Sequence, residues 1–177
     1  RIEVAGERDW RIDRLATSRV WYSPADMGRQ MAFNGLWDDL KGDQPEEPAQ
    51  MQVTGRDVVI ERTAGGMARA TFADLCQRAL GANDYLALAE RFHTLFLEDV
   101  PVLRPEDHAA ARRLVTLIDA LYEARTRLVV MAAASPEDLY PEGQETFEFG
   151  RTVSRLKEMT GKAWLSATGS PPSAPTA

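Results

Sequence analysis

The chain has 177 residues, of which 44% are hydrophobic and 27% charged, and its formal net charge is −6. These values suit a globular chain with an ordinary packed core, in one domain or two small ones. The acidic balance argues against a nucleic-acid surface or a polybasic membrane patch, because both need clustered Lys and Arg. No apolar run approaches membrane-spanning length, so we expect any membrane association to be peripheral and to occur through a partner.

Cysteine and histidine are scarce in this sequence. One cysteine, Cys76, excludes an intrachain disulfide framework, and two histidines leave no plausible structural zinc site. A single thiol and acidic charge fit a reducing compartment, so we expect a cytoplasmic location. The chain begins at Arg1 without a methionine or a targeting signal, and Ile2 to Val4 is an apolar triplet. We interpret the chain as a fragment that starts within a larger structure.

The first elements in chain order are a strand and a helix. Leu15 to Tyr22 has the Thr, Val, Trp and Tyr content of a strand. Pro24 in a first turn and Asp26 as an early acid then predict a helix to about Leu40. Its apolar side is interpreted as a core face and comprises Met27, Met31, Phe33, Leu36, Trp37 and Leu40. The segment 41–50, rich in proline and acids, is predicted to be a solvated loop and offers a point of domain division.

A hairpin region follows this loop. Met51–Val53, Val58–Arg62 and Met67–Phe72 are predicted to be short strands. The pair Gly65-Gly66 supplies the positive φ angles of a tight hairpin turn. Two helices are then expected, Phe72–Leu80 with Thr71 as its N-cap and Asn83–Phe92 with Asn83 as its N-cap.

The stretch 92–140 has the pattern of a βαβ unit. A β-type run from His93 ends before Pro101, and a helix beginning near Pro105 carries apolar residues at helical spacing. The continuous apolar run Leu128–Ala134 is typical of a strand that is covered on both faces. Parallel strands joined by an amphipathic helix require a right-handed crossover. We therefore predict an α/β fold, with a mixed sheet of antiparallel hairpin strands and parallel βαβ strands and helices packed around it.

The C-terminal part is predicted to contain a short segment Phe147–Phe149, a helix from about Arg151 to Met159, and a mobile tail 166–177. We treat residues 1–165 as one region, with the loop 41–50 as the alternative boundary.

The strand Leu95–Asp99 ends in acids, as a Walker B strand does, where a carboxylate holds Mg²⁺ or activates water. The following strand, which ends at Ser135, is similar to a sensor strand. However, the sequence contains no phosphate loop of the form Gly-x-x-x-x-Gly-Lys-Ser/Thr. For Asp99, closing a turn or capping a backbone group is therefore the preferred interpretation.

Two further pairs of residues are candidate sites. Cys76 and His93 form a hypothetical thiol nucleophile and base, but the cysteine lies on the apolar side of a predicted helix, which favours core packing. Arg151 and Arg155 lie one turn apart, as a phosphate-sensing pair would, whereas an exposed ion pair between Arg155 and Glu158 is the simpler alternative.

Several ordered motifs together resemble the C-terminal part of the ZapE family of AAA-type P-loop ATPases, which includes bacterial cell-division ATPases and a mitochondrial lactation-elevated branch. The resemblance covers about Asp9 to Leu165. The matching segments are Asp9-Trp10-Arg11, Phe72-Ala73-Asp74-Leu75-Cys76, Asn83 to Leu88, Phe92 to Pro101, Arg112-Arg113-Leu114, Leu117 to Tyr122, Phe149 to Leu156 and Glu158-Met159.

The resemblance implies that the intact protein is an ATPase that uses ATP and Mg²⁺, with its Walker A lysine and Walker B acids in a core upstream of this chain. It makes Arg151 and Arg155 sensor-like candidates for contacting nucleotide or a neighbouring subunit, because a guanidinium is permanently charged and grips phosphate with two bonds. No catalytic residue, metal ligand or cofactor is expected in this chain alone.

Three functional hypotheses follow. In the first, the chain is the region after the core of an ATP-hydrolysing protein and couples hydrolysis to action on protein partners, with homo-oligomer formation left open. In the second, it is a non-catalytic protein-interaction domain, which an exposed apolar patch near Met27, Met31 and Trp37 would favour. In the third, it is an independent hydrolase, which requires Cys76 and His93 within hydrogen-bonding reach.

Overall fold

A computed structural model of the chain describes residues 10–11, 13–141 and 146–167. The predicted triplet Ile2 to Val4 lies outside these residues, as does all but the start of the predicted C-terminal tail. The strands are β1 (Trp21–Tyr22), β2 (Glu47–Val53), β3 (Arg56–Ala64), β4 (Met67–Thr71), β5 (Thr94–Val100) and β6 (Arg127–Ala132). The helices are α1 (Met27–Lys41), α2 (Phe72–Cys76), α3 (Ala82–Arg91), α4 (His108–Glu123), α5 (Thr146–Met159) and α6 (Lys162–Ser166).

The strands form one mixed sheet in the order β1-β6-β5-β4-β3-β2. The pairs β1–β6, β6–β5 and β5–β4 are parallel, whereas the pairs β4–β3 and β3–β2 are antiparallel. This arrangement confirms the predicted α/β fold, including its hairpin region and its βαβ unit.

The hairpin turn between β3 and β4 forms as its two glycines predict. Gly65 and Gly66 have φ angles of 57° and 83°, and Ala64 pairs with Met67 across the turn. Positive φ at both central residues gives the turn twist that matches a right-twisted hairpin. The His93 ring packs against Gly66, so this turn also closes over the start of β5.

Helices cover the central strands from both sides. Phe33 and Trp37 of α1 make edge contacts with Phe96 of β5, at ring-centroid distances of 5.3 and 5.1 Å. Neighbouring residues of a strand point to opposite faces. Accordingly, Leu97 lines a small apolar cavity on the other face, together with Leu114 of α4. All six residues of β6 are buried, as its continuous apolar sequence predicts.

The predicted strand Leu15–Tyr22 is wrong for most of its length. Residues 13–16 are helical, and strand pairing is limited to Trp21 and Tyr22, which pair with β6. The hydroxyl of Ser18 donates to the carbonyl of Arg14, and that of Thr17 donates to the carbonyl of Asp13. These hydrogen bonds satisfy backbone carbonyls at the end of the helical turn. The β-forming composition of the segment therefore does not decide its conformation.

Other predicted boundaries also move. Asp26 is the N-cap of α1 rather than a residue of its first turn. The predicted loop 41–50 gives way to β2 at Glu47, and Phe147–Phe149 belongs to α5. The predicted helix after Thr71 is shorter, ending at Cys76, although Thr71 does cap it, accepting the backbone N–H of Asp74.

Asn83 does not cap α3. The helix begins at Ala82, one residue earlier, and Gly81 is its N-cap. The Asp84 carboxylate accepts the backbone N–H of Gly81 at 2.7 Å, and it pairs with Arg56 at 2.6 Å. A buried carboxylate in the first turn therefore stabilises this helix start.

Candidate functional site

The carboxyl ends of the parallel strands are where an α/β sheet of this type places its ligand site. Glu98 is the first of the two acids at the end of β5, and it is already bound by a side chain of this chain. Arg69 on β4 donates Nε to one carboxylate oxygen of Glu98 at 2.7 Å and Nη2 to the other at 3.0 Å. The same guanidinium donates to the side-chain oxygen of Asn34 on α1 at 2.6 Å.

Arg69 is only 6% exposed, which makes this two-bond pair an interior feature. Its guanidinium carbon lies 5.0 Å from the ring centroid of Phe33 and 5.8 Å from that of Trp37. A buried guanidinium of this kind is stabilised by its carboxylate and by the faces of the rings. The pair therefore fixes α1 against the ends of β4 and β5.

A second arginine lies over the same tryptophan. Arg62 of β3 is 5.8 Å from the ring centroid of Trp37, and it makes two hydrogen bonds to Glu46, at 2.8 and 2.9 Å. The indole N–H of Trp37 also donates to Glu46 at 2.6 Å. These bonds, above all those from Arg62, lower the pKa of Glu46 from 4.5 to about 2.

Asp99, the second acid, has a different environment. It has a φ angle of 60°, lies where the pairing of β5 with β6 shifts between Leu97 and Val100, and is exposed. A single residue in this conformation marks an irregularity of the strand. Neither acid at the end of β5 is therefore part of a cluster: Glu98 is held by Arg69, and Asp99 faces solvent.

Metal binding is not supported by the geometry. Within residues 10–11, 13–141 and 146–167, no three His, Cys, Asp or Glu side chains lie together as a metal site would need. The residues present at the end of β5 do not fit a Mg²⁺ ion, because a guanidinium occupies the side of Glu98 that a cation would take.

Arg155, one of the two sensor-like candidates, is engaged within the chain. Its guanidinium pairs with Asp119 of α4 and lies 4.6 Å from the ring centroid of Tyr122. The predicted alternative partner, Glu158, instead accepts the hydroxyl of Tyr122 at 2.8 Å. Arg151 is exposed one turn earlier on α5. The two arginines therefore have different environments: Arg155 is paired within the chain, and Arg151 is exposed to solvent.

Arg155 belongs to a stack of four side chains, which we call the α4–α6 stack and which comprises Arg125, Trp164, Tyr122 and Arg155. The rings of Tyr122 and Trp164 are parallel to within 20°, with centroids 5.1 Å apart. The guanidinium carbon of Arg125 lies 5.1 Å from the ring centroid of Trp164. Each pair in such a stack adds a modest attraction, and together they join α4, α5 and α6.

Cys76 and His93 lie at opposite ends of the sheet. The imidazole of His93 contacts Thr94 at 2.8 Å and the Gly65 carbonyl at 3.2 Å, beside the start of β4. Cys76 lies in α2, which follows the opposite end of β4, and a strand of five residues is about 13 Å long. Burial raises the pKa of the thiol to about 12. The hypothesis of a thiol nucleophile with a histidine base is therefore wrong, and Cys76 packs in the core as preferred.

The methionine face of α1 is only partly buried. Met27 and Met31 are 79% and 66% exposed, whereas Trp37 is fully buried. The interpretation of all six apolar residues of α1 as core is therefore wrong for the two methionines. Of the three residues suggested as an exposed apolar patch, Met27 and Met31 are exposed and Trp37 is not. No helix in the described part of the chain is both long and apolar enough to cross a membrane.

The comparisons with known proteins agree with the sequence motifs. The family model described as AFG1-like ATPase matches residues 1–168. The chain belongs to the AFG1-like ATPase family. Members of the family with similar sequences include cell division protein ZapE of Escherichia coli K12, which is 32% identical over 157 residues. Lactation elevated protein 1 homolog B of Danio rerio is 33% identical over 183 residues. The resemblance to the ZapE family is thereby confirmed.

The alignments cover 89% and 84% of this chain but only 42% and 36% of those two relatives. The chain therefore spans about two fifths of the length of the curated family members that it matches. No solved structure matches it.

Sequence reasoning missed the groups that surround Glu98. Arg69 lies 29 residues before Glu98 and 35 residues after Asn34 in the sequence. No local motif therefore contains both partners of either hydrogen bond. The one available signal was Arg69 itself, a charged residue in the middle of the short apolar strand Met-Ala-Arg-Ala-Thr. A charge in a central strand is rarely buried without a partner.

Proposed function

We propose that this chain is the region that follows the nucleotide-binding core of an AAA-type ATPase, and that it couples ATP hydrolysis in that core to action on protein partners. The observation that carries the proposal is that, in this member of the AFG1-like ATPase family, the partly buried strand-end acid Glu98 is bound on both oxygens by Arg69. The guanidinium neutralises this carboxylate and occupies the side that a metal ion would approach, so Glu98 is poorly suited to hold Mg²⁺.

In this proposal ATP and Mg²⁺ are bound by the core outside this chain. This chain contributes helices and a sheet that receive the conformational change, and it is inactive alone. A role in cell division is supported by the relative named cell division protein ZapE, and the proposal places this role in the cytoplasm. Homo-oligomer formation is part of this proposal, with the exposed Arg151 of α5 as a candidate contact to a neighbouring subunit.

The two arginines of α5 take different roles in this proposal. Arg151 is exposed and available to contact nucleotide or a neighbouring subunit. Arg155 is a positioning residue, because its guanidinium is already paired with Asp119 and packed on Tyr122. A guanidinium so engaged would have to break both contacts before it could bind a phosphate.

The test compares the intact protein with a version from which residues 21–165 of this region are removed. We expect the truncated protein to retain ATP binding and measurable hydrolysis, and to lose any change in turnover that a protein partner causes. Loss of ATP binding on truncation would contradict the proposal, because it would place part of the nucleotide site in this region.

A second candidate function is a protein-interaction domain that acts without coupling to ATP. The exposure of Met27 and Met31 favours it, because unbranched methionines adapt to varied partners. Replacing both with Gln should weaken partner binding without lowering Tm. Leu86→Gln, at an exposed leucine of α3, is the matched control. If the methionine variant and the control bind a partner equally well, this surface is not the interface.

A further inference from the structure

The hairpin of β2 and β3 projects beyond the rest of the sheet. β3 pairs with β4 over residues 62–64 only, whereas its pairing with β2 runs from Arg56 to Thr63. Within the part of the chain that the structure describes, residues 56–61 therefore have a neighbouring strand on one side and none on the other. We call the second side the open side of β3. At about 3.4 Å per residue, it is about 20 Å long.

The projecting part of β3 has one buried face and one exposed face. Val58 and Ile60 are buried. Asp57, Val59 and Glu61 alternate with them along the strand and are exposed, Val59 to 40%. The exposed face of β3 thus presents a branched apolar side chain between two carboxylates.

The backbone groups of Asp57 and Val59 point to the open side of β3. The turn 54–55 has two residues, with φ angles of 47° and 82°, so the pair that flanks it exchanges hydrogen bonds. Hydrogen-bonded and non-hydrogen-bonded pairs alternate along an antiparallel ladder. Asp57 and Val59 fall in pairs of the second kind. In agreement, the carbonyl of Gln50, opposite Val59, is turned away from β3 and accepts the Arg91 guanidinium at 3.1 Å.

The two edges of this hairpin are protected to different degrees. On the outer edge, Pro48 has no N–H to offer and the Gln50 carbonyl is bound by Arg91. Prolines and charged side chains of this kind block the pairing of an edge with another strand. The open side of β3 has the sequence Arg-Asp-Val-Val-Ile-Glu, which contains no proline or glycine and is rich in strand-forming residues. The open side is therefore the edge that can accept a further strand.

Charge determines which strand fits. Asp57 and Glu61 form no ion pair within the described residues, whereas the neighbouring Arg56 and Arg62 are each paired with another carboxylate. Side chains directly opposite each other on paired strands attract when their charges are opposite or when both are apolar and branched. A complementary strand therefore has basic residues opposite the two acids and an apolar residue opposite Val59.

We propose that the open side of β3 binds an extended segment of a protein partner by strand addition, and that this segment alternates basic, apolar and basic residues on its exposed face. Main-chain hydrogen bonds supply affinity in this mode of recognition, and alternate side chains supply specificity. The inference rests on the proposed action on protein partners and names the kind of segment by which such a partner binds.

The experiment titrates the 177-residue chain with the acetylated and amidated peptide Thr-Lys-Thr-Val-Thr-Lys-Thr and follows the backbone amides by NMR. We expect saturable binding that slows hydrogen exchange at the amides of Asp57 and Val59, because the added strand accepts their N–H groups. The same peptide with Glu at both Lys positions should bind about 2–30-fold more weakly, since two cross-strand charge pairs become repulsive. Absence of saturable binding, or binding that leaves both amides unprotected, overturns the proposal.

A proline substitution tests the main-chain bonds. Val59→Pro removes one N–H from the open side, and Gln50→Pro, the matched control, removes one from the outer edge of β2. Both positions belong to the same non-hydrogen-bonded pair, so neither change breaks the ladder between β2 and β3. We expect Val59→Pro to bind the lysine peptide about 2–12-fold more weakly than the control, as the loss of one hydrogen bond implies. Equal binding by the two variants contradicts strand addition at this side.

The double variant Asp57→Lys with Glu61→Lys changes exposed side chains only and tests the charge preference. It should prefer the glutamate peptide, and an unchanged preference for the lysine peptide overturns the assignment of these two acids. Sedimentation of the wild-type chain tests another occupant. A dimer that Val59→Pro dissociates would show that a second copy of the chain occupies the open side, and would overturn the proposal. None of these titrations contains nucleotide, so their failure leaves the coupling to ATP hydrolysis to its own truncation test.

Discussion

Replacing Arg155 with alanine separates a positioning role from a direct role in ATP hydrolysis. The ion pair with Asp119 is partly buried, with side-chain exposures of 24% and 37%, so it contributes about 0.5–1 kcal/mol after solvent screening. The contact with Tyr122 adds about 0.5–1 kcal/mol. The expected loss is therefore about 1–2 kcal/mol, which lowers Tm by about 2–8 °C for a chain of this length.

Arg151→Ala is the matched control on the same helix. Arg151 is exposed, and a surface substitution of this kind changes stability by less than about 0.5 kcal/mol. Arg155→Ala should therefore have a lower Tm than Arg151→Ala, because only Arg155 loses an ion pair and a ring contact. Equal Tm values for the two variants would refute the assignment of Arg155 to the α4–α6 stack.

The kinetic half of this prediction uses the intact protein at a temperature well below the unfolding transition. We expect Arg155→Ala to keep its ATP turnover within about twofold of wild type, since its guanidinium is engaged by Asp119 within the chain. A large loss of kcat without a loss of stability would show instead that Arg155 acts on the nucleotide, as the sensor-like hypothesis states.

Three other predictions concern pH, turn geometry and thiol reactivity. The hydrogen bonds from Arg62 depress the folded-state pKa of Glu46, so its contribution to stability is complete above pH 4.5 and disappears as the pH falls to about 2. Unfolding of the wild type and of Glu46→Gln should therefore differ at neutral pH and converge in acid, and a constant difference would contradict this. Gly66→Ala should destabilise the chain by more than about 1 kcal/mol, because φ is 83° and a Cβ would lie 2.8 Å from the imidazole that packs on this turn. Gly35→Ala, at a position of α1 with open space around a Cβ, should stabilise the chain by about 0.5–1 kcal/mol. If denaturant titrations show Gly66→Ala to be more stable than Gly35→Ala, the turn accepts a side chain at Gly66. Burial and a pKa of about 12 should keep Cys76 unreactive toward a thiol reagent until the chain unfolds, whereas rapid modification of the folded chain would mean that the site opens.

The parts of the fold that sequence predicts best are those whose signals are local. The Gly65-Gly66 pair defines its hairpin turn through backbone conformation alone. The βαβ unit is visible because Pro101 closes β5 and because β6 is apolar throughout. In both cases the residues that specify the element lie within it.

The parts that sequence does not predict depend on distant contacts. Helical periodicity predicts that Met27, Met31 and Leu40 are all buried, but it does not show which turns of α1 the sheet covers. The acid at the end of β5 was visible as a chemical pattern, whereas its neutralisation by Arg69 arises only when β4 and β5 pair. The sequence therefore shows the acids at the strand end, whereas the pairing of Glu98 with Arg69 is visible only in the structure.

Steady-state Mg-ATP hydrolysis by the 177-residue chain and by the intact protein, under identical conditions, decides whether the nucleotide site lies outside this chain. We expect turnover by the intact protein and none by the chain above a buffer control. Hydrolysis by the chain alone would contradict this expectation, and loss of that activity in an Asp99→Asn variant would identify the exposed acid at the end of β5 as part of an active nucleotide site.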